Sequence, residues 1–374
     1  MSDITISGIS VFNVRIPVRY MHRQGSGDGG STAQVVVLRI DTDAGIHGWG
    51  EAAPMPYFSG TAEASAAALH IYLRPLLIGA DPFAIEQLMT LADRALVRSP
   101  EAKAAMEAAL FDIMGKALGT PAYNLLGGAV RTRIPLSYSL AKPDITEDVE
   151  RAKALYADGH RIYKVKTGFA THVEDMHRLE MLRTELPDDV LIRVDYNQAL
   201  DSFDAISKLR DVEAFRPTFI EQPVPADQLE TMAEITRALD TPIMADETVF
   251  TLRDALLVIK GRVADAISIK PSKCGGMLRC KEIAAAAATA GIQCYGGSMI
   301  ETGISHLAGS HMAAATPNLR LGCELFHASY YLTEDLLADP FPVEDGHVVV
   351  PDGPGLGIEV DLDKLNKYTL ERLD

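Results

Sequence analysis

The stretch that decides the fold is Tyr163-Lys164-Val165-Lys166-Thr167-Gly168. Side chains alternate across a β-strand, so Lys164 and Lys166 project from the same face of this predicted strand, a few ångström apart. Two ammonium groups this close disfavour each other's protonation, and we expect one lysine to act as a neutral base near pH 7. The alternative is a solvated pair on an edge strand. Thr167 and Gly168 place the lysines at the carboxyl end of the strand, where active sites of parallel α/β barrels are built.

Working outward, short β-rich runs alternate with amphipathic helical patterns over much of the chain. Eight such runs occur, at residues 134–138, 162–166, 191–195, 218–221, 242–246, 266–270, 292–295 and 319–322. Strands that alternate with helices at this spacing predict a parallel sheet, and eight of them predict a closed barrel. The fold class is therefore α/β.

The flanking segments predict a second domain. Strands are predicted within residues 4–51, and helical patterns fill residues 61–118. The clearest helix begins with Ser99 as N-cap and Pro100 at the first helical position. We expect an α+β capping domain over residues 1–130, joined by the tail at 332–374, with the barrel over 131–331. A chain of 374 residues suits a barrel of about 250 residues and a second domain of about 100.

Composition excludes several classes of partner. The formal net charge of −16 argues against nucleic acid and anionic membrane surfaces, which both require basic patches. The sequence has no apolar run of about 18 residues that would span a bilayer, and its start lacks the features of a signal peptide, which predicts a cytoplasmic protein. The four cysteines form no paired CxxC pattern, which favours reduced thiols over zinc ligands.

Three consecutive predicted strands end in a carboxylate, at Asp195, Glu221 and Asp246. Strand ends converge at the mouth of a barrel, and three acids there stay ionised together only if a cation holds them. Oxygen ligands favour Mg²⁺ or Mn²⁺, with about three octahedral positions left for water and substrate. Each acid alone is also explained as a cap of the following helix, but the threefold repetition favours the metal.

A further lysine, Lys270, ends the sixth strand in Ile269-Lys270-Pro271-Ser272-Lys273. Four strands separate it from Lys166, so the two lysines approach the mouth from opposite sides. This arrangement predicts a small carboxylate substrate whose α-carbon lies between two proton-transfer groups, with a metal ion that stabilises the enediolate.

The motifs KVK, DYN, EQP, ADE and KPSKCGG, in that order, resemble the enolase superfamily throughout the chain. The subgroup is similar to muconate-lactonizing enzyme rather than mandelate racemase, because a lysine ends the sixth strand and no His-Asp pair is evident on the sixth and seventh. The resemblance implies an enolase-like, modified (β/α)8 TIM-type barrel and a homo-oligomer, either a dimer or an octamer. It implies one Mg²⁺ or Mn²⁺ per chain, and these roles: metal ligands Asp195, Glu221 and Asp246; acid/base pair Lys166 and Lys270; Lys164 tuning Lys166; and supporting residues Asn197 and Glu247.

Substrate specificity depends on positions outside this core. Glu324, in the run Leu321-Gly322-Cys323-Glu324-Leu325-Phe326, is similar to a glutamate that lies beside the reacting carbon in muconate and chloromuconate cycloisomerases. Glu301 is similar to a seventh-strand glutamate of the same subgroup. The Asp-x-Asp of dipeptide epimerases is absent from the eighth strand.

Two loops, at residues 17–32 and 54–60, cover the substrate in this superfamily and differ here from those of muconate enzymes. Arg19, His22 or Arg23 is a candidate to meet a distal carboxylate, with a solvated basic loop as the alternative. Tyr57 and Phe58 are candidates to pack against an apolar or cationic group, or simply against the cap.

The leading interpretation is a metal-dependent isomerase that converts cis,cis-muconate, or a substituted muconate, to a muconolactone. Racemisation or epimerisation of an amino or hydroxy acid and syn elimination of water use the same residues and remain alternatives. A catalytically inactive barrel that binds a metabolite is a fourth possibility, which the retention of both lysines and all three carboxylates disfavours.

Overall fold

The computed structural model describes residues 4–357 and 359–374, so the first three residues of the predicted capping domain lie outside the described part. The strands are β1 (Ile6–Pro17), β2 (Arg23–Gln24), β3 (Gly27–Asp28), β4 (Thr32–Thr42), β5 (His47–Ala52), β6 (Arg133–Pro135), β7 (Ser137–Leu140), β8 (Ile162–Lys166), β9 (Leu191–Asp195), β10 (Ile220–Glu221), β11 (Ile243–Ala245), β12 (Ala266–Ile269), β13 (Gln293–Gly296), β14 (Leu319–Cys323), β15 (Val343–Glu344), β16 (His347–Val349) and β17 (Thr369–Leu373). The α-helices are α1 (Ala62–Ala67), α2 (Arg74–Leu77), α3 (Ile85–Ala95), α4 (Pro100–Leu118), α5 (Ala122–Leu125), α6 (Ile145–Ala157), α7 (His172–Glu185), α8 (Ala205–Glu213), α9 (Leu229–Ala238), α10 (Leu252–Gly261), α11 (Pro271–Cys274), α12 (Met277–Thr289), α13 (Gly303–Ala314) and α14 (Leu362–Tyr368). Two π-helical segments span Ala68–Leu73 and His327–Tyr331.

The central element is a barrel in which β7 to β14 pair in chain order as eight parallel strands. A parallel bridge between Leu136 and Cys323 brings the two outer strands together, so the barrel is nearly closed. Each strand from β7 to β13 is followed by one or more helices, and the π-helical segment His327–Tyr331 follows β14 instead. The prediction of an enolase-like, modified TIM-type barrel is confirmed.

The capping domain is built around an antiparallel sheet in the order β17-β1-β4-β5. Strand β17, from the tail, pairs with β1 through Val11 and Leu373. The tail also supplies β15 and β16, and β16 pairs with β6. The domain boundaries at residues 130 and 331 stay a prediction.

One local expectation is wrong in detail, and another is confirmed in position but not in its side-chain contact. The run 134–138 is divided, because β6 leaves the barrel to pair with β16 while β7 forms the first barrel strand. Ser99 precedes α4 as expected, but its backbone is left-handed (φ 51°) and its side chain makes no capping hydrogen bond. Pro100 occupies the first helical position, as predicted.

Among the described residues, no helix has both the length and the apolar character needed to cross a membrane. Hydrophobic side chains are buried in both the cap and the barrel and form one large core, beside which Phe219, Met244, Ala266 and Tyr295 form a small separate cluster.

The cap sheet packs against helix α4 at a very short distance. A Cβ atom at Gly50 would lie 1.9 Å from the carbonyl oxygen of Ala105, and one at Gly48 would lie 2.1 Å from that of Ala109. Both obstacles are backbone atoms of a buried helix, so neither can move aside cheaply. Strand β5 therefore needs glycine at both positions.

We predict that Gly50→Ala lowers the free energy of unfolding by about 1–3 kcal/mol or more, because the added methyl group overpacks this contact. The matched control is Gly8→Ala in the same sheet, where an added Cβ has no neighbour within 4 Å. The control should stay within about 1 kcal/mol of wild type. Urea unfolding measures both, and equal effects would contradict the packing argument.

Candidate active site

The carboxyl ends of the barrel strands bring several of the sequence-predicted residues into one pocket. On the barrel side it is lined by Lys164, Lys166, Asn197, Lys270 and Glu324. On the cap side it is lined by His22, Gln24, Met55 and Phe58. The cap therefore closes over the mouth of the barrel and takes part in the walls of the pocket.

Strand register explains why the three carboxylates lie together. Asp195 is the pairing partner of Lys166 on one side and of Glu221 on the other. Glu221 pairs with Met244, so Asp246 lies two residues further along the next strand. All three carboxylates are at most 1% exposed. The sequence thus folds into a row of buried acids across adjacent strand ends.

Each of these three acids is paired with at least one lysine ammonium group. Lys166 Nζ lies 2.6 Å from Asp195 Oδ2, and Lys270 Nζ lies 2.6 Å from Asp246 Oδ2. Lys164 Nζ is 3.1 Å from Glu221 Oε2 and 3.2 Å from Asp195 Oδ2. Buried charges are stable only when paired in this way.

These contacts bear on the expectation that one of Lys164 and Lys166 is a neutral base, and they argue against Lys164 in that role. Burial by itself lowers the pKa of Lys164, but Glu221, Glu324 and Asp195 outweigh it and raise that pKa well above its usual value. Asp246 likewise raises the pKa of Lys270 against the effect of burial. For Lys164 and Lys270, carboxylates within hydrogen-bonding distance outweigh burial, so these two lysines are cationic in this arrangement.

The pKa values of the Asp195 and Glu221 carboxyl groups are shifted in opposite directions. Burial raises the pKa of Asp195, but Lys166 and Lys164 more than compensate and lower it. The pKa of Glu221 is raised well above its usual value by burial and by the neighbouring Asp195 charge. Glu221 is therefore the acid whose charge is least compensated by the protein.

The residues fit a divalent metal ion by their chemistry. Within the described part of the chain, no three His, Cys, Asp or Glu side chains approach closely enough to hold a metal in this arrangement, because the lysines bridge the acids. However, Glu221 Oε1 is buried and has no hydrogen-bond partner. A set of buried carboxylate oxygens with one unsatisfied atom suits a hard cation such as Mg²⁺ or Mn²⁺.

Asn197 and Glu247 support the site from one side. The Asn197 carbonyl accepts a hydrogen bond from Lys166 Nζ at 2.8 Å, and its amide donates to Glu247 Oε1 at 3.1 Å. Its backbone N–H donates to Asp195 Oδ1 at 2.9 Å. Burial, with the charges of Asp246 and Asp195, raises the pKa of Glu247 to about 7.

The two glutamates predicted from the seventh and eighth strands occupy different positions. Glu324 lines the pocket, and its two oxygens accept hydrogen bonds from Ser139 and Lys164, each at 2.6 Å. Glu301 is buried behind the wall and accepts a hydrogen bond from Ser272 at 2.8 Å. Burial raises the pKa of Glu301 to about 7.

Sequence reasoning missed two contributors, Lys273 and Ser139. Lys273 Nζ donates to Asp246 Oδ1 at 2.8 Å and to the Asp246 carbonyl at 2.7 Å, so Asp246 is held by two ammonium groups. The second lysine of the KPSKCGG motif is a sequence signal that could have identified Lys273. No sequence feature marks the Ser139 hydroxyl as a partner of Glu324.

The cap loops contribute differently from expectation. His22 is buried in the pocket wall, its Nδ1 has no hydrogen-bond partner, and burial together with Lys166 and Lys164 lowers its pKa well below the usual value. Arg19 is exposed and donates to the carbonyl oxygens of Leu332 and Thr333, so the structure does not bring it into the pocket.

Of the two aromatic candidates in the second loop, the structure brings only Phe58 into the pocket wall. Tyr57 does not line the pocket, and its hydroxyl donates to Met55 Sδ at 3.5 Å. Phe58 lines the pocket instead, with its ring centre 5.0 Å from Lys270 Nζ. A cation over an aromatic face at this distance is attracted by it.

We predict that Lys164→Met lowers the free energy of unfolding by about 3–5 kcal/mol in metal-free buffer, because Glu221 and Glu324 then lose a buried counter-charge. The control is Lys153→Met, which removes an exposed pair with Glu150 and Glu185 and should leave stability near wild type. Urea unfolding in the presence of EDTA measures both. A Lys164→Met protein as stable as the control would show that the ion pairs contribute nothing.

Comparison with known proteins agrees with this geometry. Residues 8–127 match the family described as mandelate racemase / muconate lactonizing enzyme, N-terminal domain, and residues 147–364 match the enolase C-terminal domain-like family. A muconate cycloisomerase structure from Azorhizobium caulinodans is 45% identical, with a TM-score of 0.87 over 99% of both chains. The N-succinyl Arg/Lys racemase structure from Bacillus cereus is 33% identical, with a TM-score of 0.94 over 99% of both chains. Muconate lactonizing enzyme from Pseudomonas fluorescens, in complex with muconolactone, is 31% identical, with a TM-score of 0.95 over 98% of this chain and 100% of that one.

Proposed function

This chain belongs to the mandelate racemase / muconate lactonizing enzyme family of the enolase superfamily and is an isomerase, and from that premise we propose that it cyclises cis,cis-muconate or a substituted muconate to a muconolactone. The reaction makes a C–H bond on the carbon α to a carboxylate. The muconate cycloisomerases and lactonizing enzyme among its relatives support this substrate class.

One observation carries the proposal: Lys166 and Lys270 line a single pocket, and each is paired with a different carboxylate of the same buried row. Two proton-transfer groups on opposite sides of a substrate are the requirement for chemistry at an α-carbon. The pocket also excludes bulk water, since both lysines are at most 6% exposed.

Enzymes of this family are metal-dependent, and we propose one Mg²⁺ or Mn²⁺ per chain, held by Asp195, Glu221 and Asp246. When bound, such a cation supplies electrostatic stabilisation of the enediolate that develops on the substrate carboxylate. Asn197 and Glu247 keep Asp195 and Lys166 in place through the hydrogen bonds described above.

The protein's own residues then position the substrate and transfer the proton. The distal carboxylate of muconate attacks the double bond and forms the lactone C–O bond, and the electron pair moves onto the carbon α to the proximal carboxylate. One of the two lysines donates its ammonium proton to that carbon, which completes the C–H bond. Lys164 contacts Glu324 and Glu221 and fixes the charge balance next to Lys166.

Substrate contacts are proposed for residues that line the pocket or stand directly behind it. His22 offers a neutral imidazole with a free nitrogen to the distal part of the substrate. Glu324 faces the pocket and Glu301 supports its wall. Arg19 and Tyr57 are not part of this proposal, because their polar groups contact other parts of the cap.

Racemisation or epimerisation of an acylated amino acid is the second candidate. It is favoured by the same pair of lysines on opposite sides, since one removes and the other returns the α-proton, and by the similarity to the Bacillus cereus racemase. A syn dehydratase, which needs one lysine for both steps, has no specific observation in its favour. We also propose that the cap comprises residues 1–130 and 332–374 and that the chain forms a homo-oligomer.

We predict that the purified protein binds one Mn²⁺ per chain, and that Glu221→Gln weakens this binding at least about tenfold, because it removes a charged oxygen ligand. Asp240→Asn, at an exposed position away from the pocket, is the control and should bind as wild type does. Titration followed by electron paramagnetic resonance of free Mn²⁺ gives both constants. Wild-type affinity in Glu221→Gln would remove Glu221 from the ligand set.

We predict that proton NMR in D₂O with Mg²⁺ or Mn²⁺ shows lactone signals from cis,cis-muconate. Lys166→Ala and Lys270→Ala should each lower the rate by about 10²- to 10⁴-fold, because each removes a proton-transfer group. Lys153→Ala is the matched control. Amino acids, N-succinyl amino acids and hydroxy acids are incubated in parallel. If muconate is inert while an amino acid exchanges its α-proton, the racemase is correct and the muconate proposal is wrong.

A further inference from the structure

A carboxylate of the cap lies on the N-terminus of a barrel helix at the active-site end. Glu107, on cap helix α4, accepts hydrogen bonds from the backbone N–H groups of Met277 and Leu278 at the start of α12. Its side chain is 1% exposed. The carboxyl oxygens of Glu107 thereby satisfy N–H groups that a helix leaves unpaired at its N-terminus.

The approach of Glu107 explains the second glycine of the KPSKCGG run. A Cβ atom at Gly276 would lie 2.5 Å from both the carboxyl carbon and Oε2 of Glu107, and the backbone there has φ +132°. Gly276 is therefore the point at which the barrel segment is held against the cap.

Backbone hydrogen bonds connect Gly276 to Lys270, so a contact that holds Gly276 in place also holds the backbone of Lys270. The N–H groups of Gly275 and Gly276 both donate to the Pro271 carbonyl at 2.9 Å, and the Cys274 N–H donates to the Lys270 carbonyl at 2.8 Å. The seven residues from Lys270 to Gly276 thus form one hydrogen-bonded unit.

A second cap carboxylate accepts hydrogen bonds at the N-terminus of helix α13, which follows the seventh barrel strand. Glu51, on β5, accepts hydrogen bonds from the Thr302 N–H at 2.9 Å, from the Thr302 hydroxyl, and from the Ser305 N–H at 3.3 Å. Asp335 Oδ1 accepts a hydrogen bond from the Gly303 N–H at 2.8 Å. The first N–H groups of the wholly buried helix α13 are therefore satisfied largely by carboxylates that lie outside the barrel strands and helices.

The two held segments meet beside the pocket. Glu301 directly precedes Thr302, and it accepts a hydrogen bond from Ser272, which lies between Lys270 and Gly276. The hydroxyls of Ser272 and Ser305 are also 3.5 Å apart. The cap thus contacts two loops, at residues 270–276 and 301–305, which are also hydrogen-bonded to each other.

We propose that Glu51 and Glu107 are positioning residues that hold the loops bearing Lys270 and Glu301 in their reactive places. This inference rests on the proposed function. The cap would then act on proton transfer through the barrel backbone, in addition to supplying pocket walls.

The test is hydrogen–deuterium exchange by mass spectrometry on the full chain, combined with steady-state kinetics, for Glu107→Gln and Glu51→Gln. Glutamine keeps the shape of each side chain but turns an amide NH₂ toward a backbone N–H. Glu86→Gln, at an exposed position of the cap, is the matched control. Thr302→Val is a milder second variant, since it removes the hydroxyl that contacts Glu51 and caps the Ile304 N–H but keeps the backbone hydrogen bond to Glu51.

Glu107→Gln should raise deuterium uptake in residues 270–280, and Glu51→Gln and Thr302→Val should raise it in residues 300–306, with the rest of the barrel unchanged. For the two glutamine variants kcat should fall about 10- to 100-fold with KM within about threefold, because a displaced lysine affects the chemical step more than binding. Uptake and kcat that match Glu86→Gln overturn the inference. If wild type is inactive on every substrate, the proposed function fails, and the exchange data still decide whether these carboxylates hold the loops.

Discussion

Three carboxylates buried side by side at one end of the barrel are the constraint on which the rest of the structure depends. Removing such charges from water costs several kcal/mol each, so their row can exist only beside matching cations. Lys164, Lys166, Lys270 and Lys273 supply them, each within 3.1 Å of a carboxylate oxygen. Because the balance among the acids is uneven and Glu221 keeps an unsatisfied oxygen, the cluster is prepared for an additional cation rather than complete without one.

The cap is connected to this cluster by polar contacts as well as by apolar packing. Its loops place His22 and Phe58 in the pocket wall, and its buried acids Glu51 and Glu107 satisfy the first N–H groups of two barrel helices. Helix ends buried without such partners are costly, so the cap is needed by the barrel at the same edge where the lysines stand. The same interface between the cap and the barrel therefore covers the active site and supports the segments that carry its residues.

Much of the barrel and of the acidic row is predictable from the sequence, because strand alternation and strand-end convergence are local rules that leave a regular spacing. The pairing partner of a strand is not local, which is why the run 134–138 gives no sign that its first half joins the tail. Loop conformation is also set by distant contacts: Arg19 is drawn away by carbonyl groups more than 300 residues later in the chain. The protonation of Lys164 depends on Glu324, which approaches only after the barrel closes.

The pairing of β1 with β17 joins residues as far apart as Val11 and Leu373, with the whole barrel between them. In an unfolded chain, closing a loop of that length has an entropic cost of about 5 kcal/mol. Folding of the intervening barrel brings its two flanking segments close together and offsets that cost. We therefore expect strand β17 to dock onto β1 after the barrel has formed, whereas β1, β4 and β5 pair locally.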